Sequence, residues 1–455
     1  MYDLAIIGGG PAGYVAAENA GARGMKVVLF EKRELGGVCL NEGCIPTKTL
    51  LYSAKVYDHA SSGKKYGVTA ADVGYEYKKM ADRKTKVVRK LVAGIKMKME
   101  AHNIEVVKGE AFIEGGDSSS VAISCNGQGF NAKRLLVCTG SEAFVPPISG
   151  VEGNAAVLTN REMLALTEAP KSLVIIGGGV IGMEFASLYN SLGIPVTVIE
   201  MFPEILGGMD KEIGDMLRGI YSKRGVVFNM QCKVTHVEGN KVFFTDVDGN
   251  ACQVEGDAIL MSVGRRAVVG GYGLENIAVE IDRGIKVNRY MQTSMPNVYA
   301  AGDVTGFSLL AHTASREAEV AVNHMSGIED VMEYNAIPGV VYTNPEVAGV
   351  GLTEEQAEKD GIPYALYRLP MTYAGRFVAE NEGQTGLCKV LVSPENKVLG
   401  VHMLGTPCSE FVCAVCMAIT NGLTVGQLKR TVFPHPTVSE ILKESISFGL
   451  VEDNA

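Results

Sequence analysis

Cys39 and Cys44 stand with four residues between them in GGVCLNEGCIPTK, the stretch from Gly36 to Lys48, with Pro46 just after the second cysteine. Thiols this close share a short loop and can form and break a disulfide without large movement of the chain. A cysteine beside a helix start or a cation has a lowered pKa and acts as a thiolate at neutral pH. The same spacing also suits two ordinary buried cysteines, or one structural disulfide. Composition bears on the choice. The chain of 455 residues opens on an apolar segment, YDLAIIGGG, with no charged leader, no cleavage site and no apolar run long enough to span a bilayer. The expected compartment is therefore the reducing cytoplasm, where a close cysteine pair is more often catalytic or metal-binding than structural. A net charge of -9 argues against nucleic acid as the main partner.

The elements that must position this pair begin at the first strand. An apolar content of 47% and a charged content of 20% describe a soluble globular chain. A chain of this length calls for about two to four domains. Residues 3–7, DLAII, read as a short buried strand, and Gly8, Gly10 and Gly13 follow as GxGxxG. PAGYVAAENAGARG reads as a helix ending near Gly24, and MKVVLFEK as a second strand ending at Glu31. Glycines there let the backbone approach a pyrophosphate at a helix N-terminus, and the acid holds a ribose hydroxyl pair. Alone the motif is weak; between two strands and closed by an acid it is specific. A second copy begins at Ser172: SLVIIGGG, with Gly177, Gly179 and Gly182, then VIGMEFASLYNSLG, then IPVTVIE ending at Glu200. The acid follows the first glycine by 23 residues in both copies (31 − 8 and 200 − 177). Two dinucleotide domains are expected, hence two different dinucleotides. No arginine follows Glu200, where the chain runs MFPEIL, so a 2′-phosphate would meet a carboxylate without a nearby cation. The second site should prefer NAD over NADP.

Residues 48–60 and 76–101 read as helices with Lys-rich polar faces, in which Met97 and Met99 pack rather than react. Residues 104–137 alternate apolar and polar like a small antiparallel meander and close with RLLVCTGS, where Cys138 is a buried small hydrophobe ahead of Thr139 and Gly140. Residues 225–263 alternate again and lead into VGRR, which contains Gly264. In VYAAGDV, Gly302 and Asp303 follow another apolar strand; such an acid suits a ribose or ribityl hydroxyl, or equally caps the next helix. His312 in LLAHTA is expected at a helix start whose N–H groups face a ligand. From about residue 338 the pattern becomes that of an α+β domain without a nucleotide motif. Cys408, Cys413 and Cys416 match part of an iron–sulfur spacing, but no fourth cysteine follows and two lie in an apparent helix. Three packed cysteines are expected there, and no metal site. Near the end, TVFPHPTVSEIL sets His435 between Pro434 and Pro436, with Glu440 five residues on. A lone histidine is usually structural; here the prolines restrict the backbone and the glutamate can orient the ring, which suits a base of fixed tautomer.

Together, GGVCLNEGCIPTK, the two fingerprints, Gly302–Asp303 and HPTVSE closely resemble the disulfide-reductase family of flavoproteins, over essentially the whole chain. The resemblance implies an α/β fold with two Rossmann-like dinucleotide-binding domains and a C-terminal α+β dimerisation domain. It assigns residues 1–145 to an FAD-binding domain and 146–275 to an NAD-binding domain. Residues 276–337 become a central segment completing the FAD domain, and 338–455 the dimerisation domain. By the same resemblance Gly8, Gly10, Gly13, Glu31 and Asp303 hold FAD, and Gly177, Gly179, Gly182 and Glu200 hold NAD. Thr139, Gly140 and Gly264 join the cofactor-binding set, and Lys48 and Glu184 form an ion pair beside the flavin. Cys44 would be the charge-transfer thiolate facing the flavin, and Cys39 would exchange with substrate. His435, oriented by Glu440, would be the acid/base supplied by the other subunit of a homodimer, and the His435–Pro436 bond would be cis.

The implied reaction is FAD-dependent oxidation of protein-bound dihydrolipoamide by NAD⁺. No lipoyl domain precedes the first fingerprint, so a lipoyl-bearing partner of a 2-oxo acid dehydrogenase or glycine cleavage complex is expected. Glutathione reduction is disfavoured by the absent arginines after Glu200. Mercuric reduction is disfavoured because Cys416 is the last cysteine. A redox-sensing flavoprotein without turnover would not need the His435–Glu440 pair. Glu42 stands where many relatives carry an apolar residue, and a carboxylate there is expected to raise the thiol pKa values and shift the redox potential. Phe433 and Pro434 replace a second histidine and a small residue, removing no catalytic group.

Overall fold

Two parallel sheets of one plan carry the two glycine motifs. In the computed structural model, which describes residues 1–451, the first sheet runs Val298–Ala300, Leu135–Val137, Leu4–Ile7, Val27–Glu31, Glu105–Lys108. The second runs Val227–Asn229, Val196–Ile199, Leu173–Ile176, Ala258–Met261, Val157–Leu158. All their pairings are parallel. Leu4 pairs with Val27 and Leu173 with Val196, so the registers repeat as the motifs do. The central strands LAII and LVII are buried along their whole length, as parallel strands covered on both faces must be.

The helices follow in chain order. Helix α1 (Pro11–Ala22) follows the first glycine loop. The redox stretch folds as α2 (Gly37–Glu42) and the start of α3 (Cys44–Ser61), and α3 packs against α4 (Tyr77–Ala101). In the second unit α5 (Asn160–Ala165) precedes α6 (Val180–Ser191), the helix of the second glycine loop, and α7 (Lys211–Lys223) follows. Helix α8 (Ala311–Met325) lies along α1.

Several expectations need adjustment. Residues 105–108 and 135–137 are strands of the first parallel sheet, and only Ala111–Gly116, Val121–Cys125 and Gln128–Ala132 form the antiparallel meander. Glu105–Lys108 is an edge strand, so its mostly exposed pattern imitates a meander. The second meander is likewise Lys233–Glu238, Lys241–Thr245 and Ala251–Glu255, while 227–229 and 258–261 belong to the parallel sheet. Helix α3 begins at Cys44 rather than near residue 48, because Pro46 falls in its first turn, where a missing N–H costs nothing.

The last part of the chain forms a five-stranded antiparallel sheet in the order Gly339–Val341, Val347–Gly351, Val398–Leu404, Leu387–Val392, Ala365–Pro370. The end of the 338–455 segment lies outside the described residues. On the helix Cys408–Thr420, Cys408 is buried, Cys416 half-buried and Cys413 exposed, so the three do not pack together as expected. Cys413 is five residues from Cys408, which places it on the opposite side of a 3.6-residue helix. Among the described residues no helix is long and apolar enough to cross a membrane.

Candidate active site

Cys44 is the first residue of α3, where the unpaired N–H groups of a helix start favour an anion. Cys39 lies one short helix earlier, and both thiols are free and half-buried. Cys39 donates a hydrogen bond to Cys44, and this, with Lys48 working in the same direction against burial and Glu184, draws the Cys44 thiol down to about 7. The Cys39 thiol is pushed far up by its bond to Cys44, by burial and by the charge of Cys44. The pair is therefore asymmetric, with negative charge favoured at Cys44 and the proton favoured at Cys39. Glu42 is not the source of this asymmetry. Its carboxylate lies 2.8 Å from Arg161 and 3.5 Å from Arg33, two cations that offset its charge.

Lys48 follows Cys44 by one turn of α3. Its Nζ donates to both carboxylate oxygens of Glu184, each at 2.8 Å. Glu184, nearly buried on α6, also accepts from the backbone N–H of Tyr342 at 3.1 Å, and the Lys48 ammonium sits 4.6 Å from the centre of the Tyr342 ring. Burial opposes the charge on Lys48, but Glu184 outweighs it and raises its pKa. The redox helix, the second dinucleotide helix and the C-terminal unit thus meet at one ion pair.

A side chain at several positions of the glycine loops would collide with the backbone. At Gly8, with φ +104°, a Cβ would lie 2.2 Å from the Cys138 carbonyl oxygen, and at Gly13 1.8 Å from that of Gly8. At Gly177 and Gly182 the corresponding distances are 2.6 Å to the Ser262 oxygen and 2.1 Å to the Gly177 oxygen. The protein itself therefore demands these glycines. Gly10 and Gly179 differ. A Cβ on Gly10 would make only an ordinary contact with Gly37, and one on Gly179 nothing within 4 Å. Both cap their helices with nearly the same backbone, φ −73° and φ −72°. Open space at the start of a helix is what a bound pyrophosphate requires. Glu31 accepts from the Gly9 and Arg33 N–H groups at 2.7 and 2.6 Å, and Glu200 from those of Gly178 and Phe202 at 2.6 and 2.8 Å. Each acid is aimed into its cradle with acceptor capacity left for ribose hydroxyls.

The remaining expected residues border the first cradle. Thr139 donates to the Val268 carbonyl at 2.8 Å, while Gly140, at φ +71°, and Gly264, at φ +130°, flank the two-stranded bridge Ser141–Ala143 with Arg265–Ala267. Ser141 donates to Asp303 at 2.5 Å and accepts from Arg265 at 2.7 Å. Burial raises the Asp303 pKa, with Ser141 and Arg265 opposing. His312 is the second residue of α8, and its Nε2 pairs with the Pro338 carbonyl at 2.9 Å. His435 Nδ1 lies 2.9 Å from Glu440, whose other oxygen accepts from the Thr437 N–H at 2.9 Å. The ring itself is 77% exposed, so it does not pack against the half-buried thiols of its own chain. The His435–Pro436 bond is cis.

Several residues at the site carry no motif. Ser141 and Arg265 fix Asp303. Glu317, fully buried on α8, accepts from Gly302 N–H at 2.6 Å and from the Tyr334 hydroxyl at 2.7 Å, and burial pushes its carboxyl up to about 7. Ser141 and Arg265 directly follow Gly140 and Gly264 in the chain, whereas Glu317, fifteen residues past Gly302, has no such neighbour to mark it.

A half-buried dithiol held against one of two dinucleotide cradles defines a class: an oxidoreductase that moves electrons between thiols and dinucleotides. The comparisons agree. Residues 2–321 match the model for pyridine nucleotide-disulphide oxidoreductases, and residues 337–446 the dimerisation domain of the same family. The chain belongs to the pyridine nucleotide-disulphide oxidoreductase family. It is 37% identical over 452 residues to the dihydrolipoyl dehydrogenase of Mycoplasma pneumoniae, covering 97% of each chain. With that of Thermus scotoductus it shares 38% over 453 residues, covering 98% of this chain and 96% of the relative. Among solved structures it superposes on LpdA from Mycobacterium tuberculosis with TM-score 0.89 at 25% identity, covering 98% of both chains. The HOCl-induced flavoprotein disulfide reductase RclA of Escherichia coli gives TM-score 0.86 at 27% identity, over 98% of this chain and 100% of that one. The dimerisation match supports a homodimer.

Proposed function

We propose that this chain oxidises protein-bound dihydrolipoamide to lipoamide, with FAD at the first cradle and NAD⁺ at the second. The observation that carries this reading is the placement of the two cysteines, Cys44 at the start of α3 one turn before Lys48 and Cys39 one short helix earlier, in a chain whose nearly full-length relatives are dihydrolipoyl dehydrogenases. FAD, when bound, takes the electron pair of the dithiol and supplies it as hydride to NAD⁺. The protein's own groups do the rest. A substrate thiolate attacks Cys39 of the Cys39–Cys44 disulfide, forming a mixed disulfide and releasing Cys44 as thiolate. The second substrate thiol then attacks the substrate sulfur of that mixed disulfide. The substrate closes to its cyclic disulfide and Cys39 leaves, taking a proton. His435 accepts the other proton, with Glu440 fixing its tautomer and stabilising the imidazolium. Lys48 stabilises the anion left at Cys44.

The exposed ring of His435 suits a base that completes the site of the other subunit. The lipoyl group would come from a cytoplasmic partner protein of a 2-oxo acid dehydrogenase or glycine cleavage complex. Steady-state turnover tests the reading. Free dihydrolipoamide and NAD⁺ should react with a kcat at least about tenfold above that with glutathione disulfide and NADPH or NADH, within the ordinary enzyme range. Absence of dithiol-dependent NADH formation by flavin-loaded protein would refute it.

A further inference from the structure

The short helix α5 leaves the second dinucleotide unit and lies on the redox loop. Asn160 Nδ2 donates to the Glu42 carbonyl at 2.6 Å, and the Arg161 Nε lies 2.8 Å from the Glu42 carboxylate. That contact is too bent for a hydrogen bond, so the buried Nε of Arg161 has the charge of Glu42 as its partner and no other. Arg33 approaches the other carboxylate oxygen at 3.5 Å from the side of the first unit. Lys84 of α4 binds the Leu164 carbonyl at the far end of α5. Helix α5 is therefore pinned to the first unit at both ends.

What it pins is the segment between the two thiols. Helix α2 has six residues, too few to be stable alone. Asn41 braces it internally, at 2.9 and 3.1 Å to Gly37 and Leu35 carbonyls. Glu42 is its last residue, and Gly43, the next, is the cap of the helix that begins with Cys44. Anything that holds Glu42 holds Cys39 and Cys44 at a fixed separation.

We propose that Glu42 is a positioning residue for the redox pair: clamped by Arg161 and Arg33, it keeps α2 seated on α3 and so sets the effective concentration of Cys39 at Cys44. This rests on the reading of Cys39 and Cys44 as a reversible disulfide. A looser loop lowers that effective concentration and favours the dithiol.

The test is the equilibrium of flavin-loaded protein with reduced and oxidised dithiothreitol. Dithiothreitol gives up two electrons and two protons and closes to its cyclic disulfide, while the Cys39–Cys44 bond breaks to two thiols. Acid quenching, alkylation and mass spectrometry give the ratio of the two forms. Glu42→Gln and Arg161→Met should each shift that equilibrium toward the dithiol by about threefold to tenfold, ~15 to 30 mV for a two-electron couple. The double variant should shift no further than Glu42→Gln alone, because the Glu42 carboxylate is the partner that Arg161 acts through. In the unmutated protein about 1 M KCl should produce part of the same shift, and in Arg161→Met very little. Additive effects of the two substitutions, or folded variants within twofold of the unmutated protein and no effect of salt, would overturn the clamp. Failure of the unmutated protein to form any Cys39–Cys44 disulfide would overturn the redox reading itself.

Discussion

Replacing Lys48 by methionine keeps the side-chain stem and removes the charge that faces Cys44. The Cys44 thiol stands at about 7 because Cys39 donates to it and Lys48 attracts its anion, against burial and the repulsion of Glu184. At pH 7 about half of it is thiolate. Removing the cation leaves burial and Glu184 unopposed by it, so the pKa must rise. An opposite charge a few ångströms away is worth about one to three units, so a rise of about one to two units is expected. The thiolate fraction at pH 7 then falls to between about a tenth and about a hundredth. Glu184→Gln must act in the other direction, because it removes the repelling charge and leaves the ammonium. Opposite signs separate electrostatics from damage, since both substitutions break the same pair, with its two 2.8 Å contacts. The assay is the pH dependence of iodoacetamide alkylation of Cys44 in flavin-loaded protein, with Cys39 replaced by serine so that one thiol reports and a hydroxyl donor remains. A Lys48→Met profile within a few tenths of a unit of its parent, or shifts of the same sign in both variants, would refute this account of the thiolate.

Glu200→Ala should weaken NAD⁺ and narrow its advantage over NADP⁺, seen in kcat/KM for each cofactor; equal use of both by the unmutated enzyme would remove the basis for the preference. His435→Ala should slow the dihydrolipoamide reaction by about a hundredfold to ten-thousandfold, while electron transfer from NADH to an artificial acceptor changes little. Equal loss in both assays would indicate structural damage. Refolding Cys44→Ser and His435→Ala together in equal amounts should return about a quarter of full activity, because half the twofold dimers are mixed and each mixed dimer has one site without a lesion. A mixture that contains heterodimers and stays inactive would contradict a shared site.

The two dinucleotide units were legible because their constraint is local. A glycine held at positive φ, as at Gly8 and Gly177, or packed on its own loop's carbonyl oxygen, as at Gly13 and Gly182, cannot be another residue, so the backbone writes itself into the chain. The His435–Glu440 pair was legible for the same reason, with its partners only five positions apart. What escaped were contacts between distant segments. Nothing in the spacing says that Arg161 answers Glu42, or that Glu317 holds Gly302 while Ser141 and Arg265 hold Asp303. Read without its partners, Glu42 is a bare negative charge between two thiols. With Arg161 and Arg33 in place it is a neutralised tether. The edge strand Glu105–Lys108 escapes a sequence reading because a strand exposed along most of its length looks alike in a meander and at the margin of a parallel sheet.

The two cradles share strand register, helix length and acid, so their difference in use must come from what each touches. The redox loop closes on the first alone. The Gly36 N–H donates to the Gly9 carbonyl at 2.8 Å, and a side chain on Gly37 would come within 2.7 Å of the Gly10 Cα. A Cβ at the matching position of the second cradle, Gly179, would meet nothing within 4 Å. Lys48 and Glu184 then join the redox helix to the helix of the second cradle without bringing a thiol to it. A dinucleotide in the first cradle would therefore lie beside the loop that carries the dithiol. This placement supports electrons entering at FAD and leaving on NAD. A repeated motif can thus serve two steps of one relay: the fingerprint supplies the binding, and the packing of the redox loop on the first cradle sets the first apart from the second.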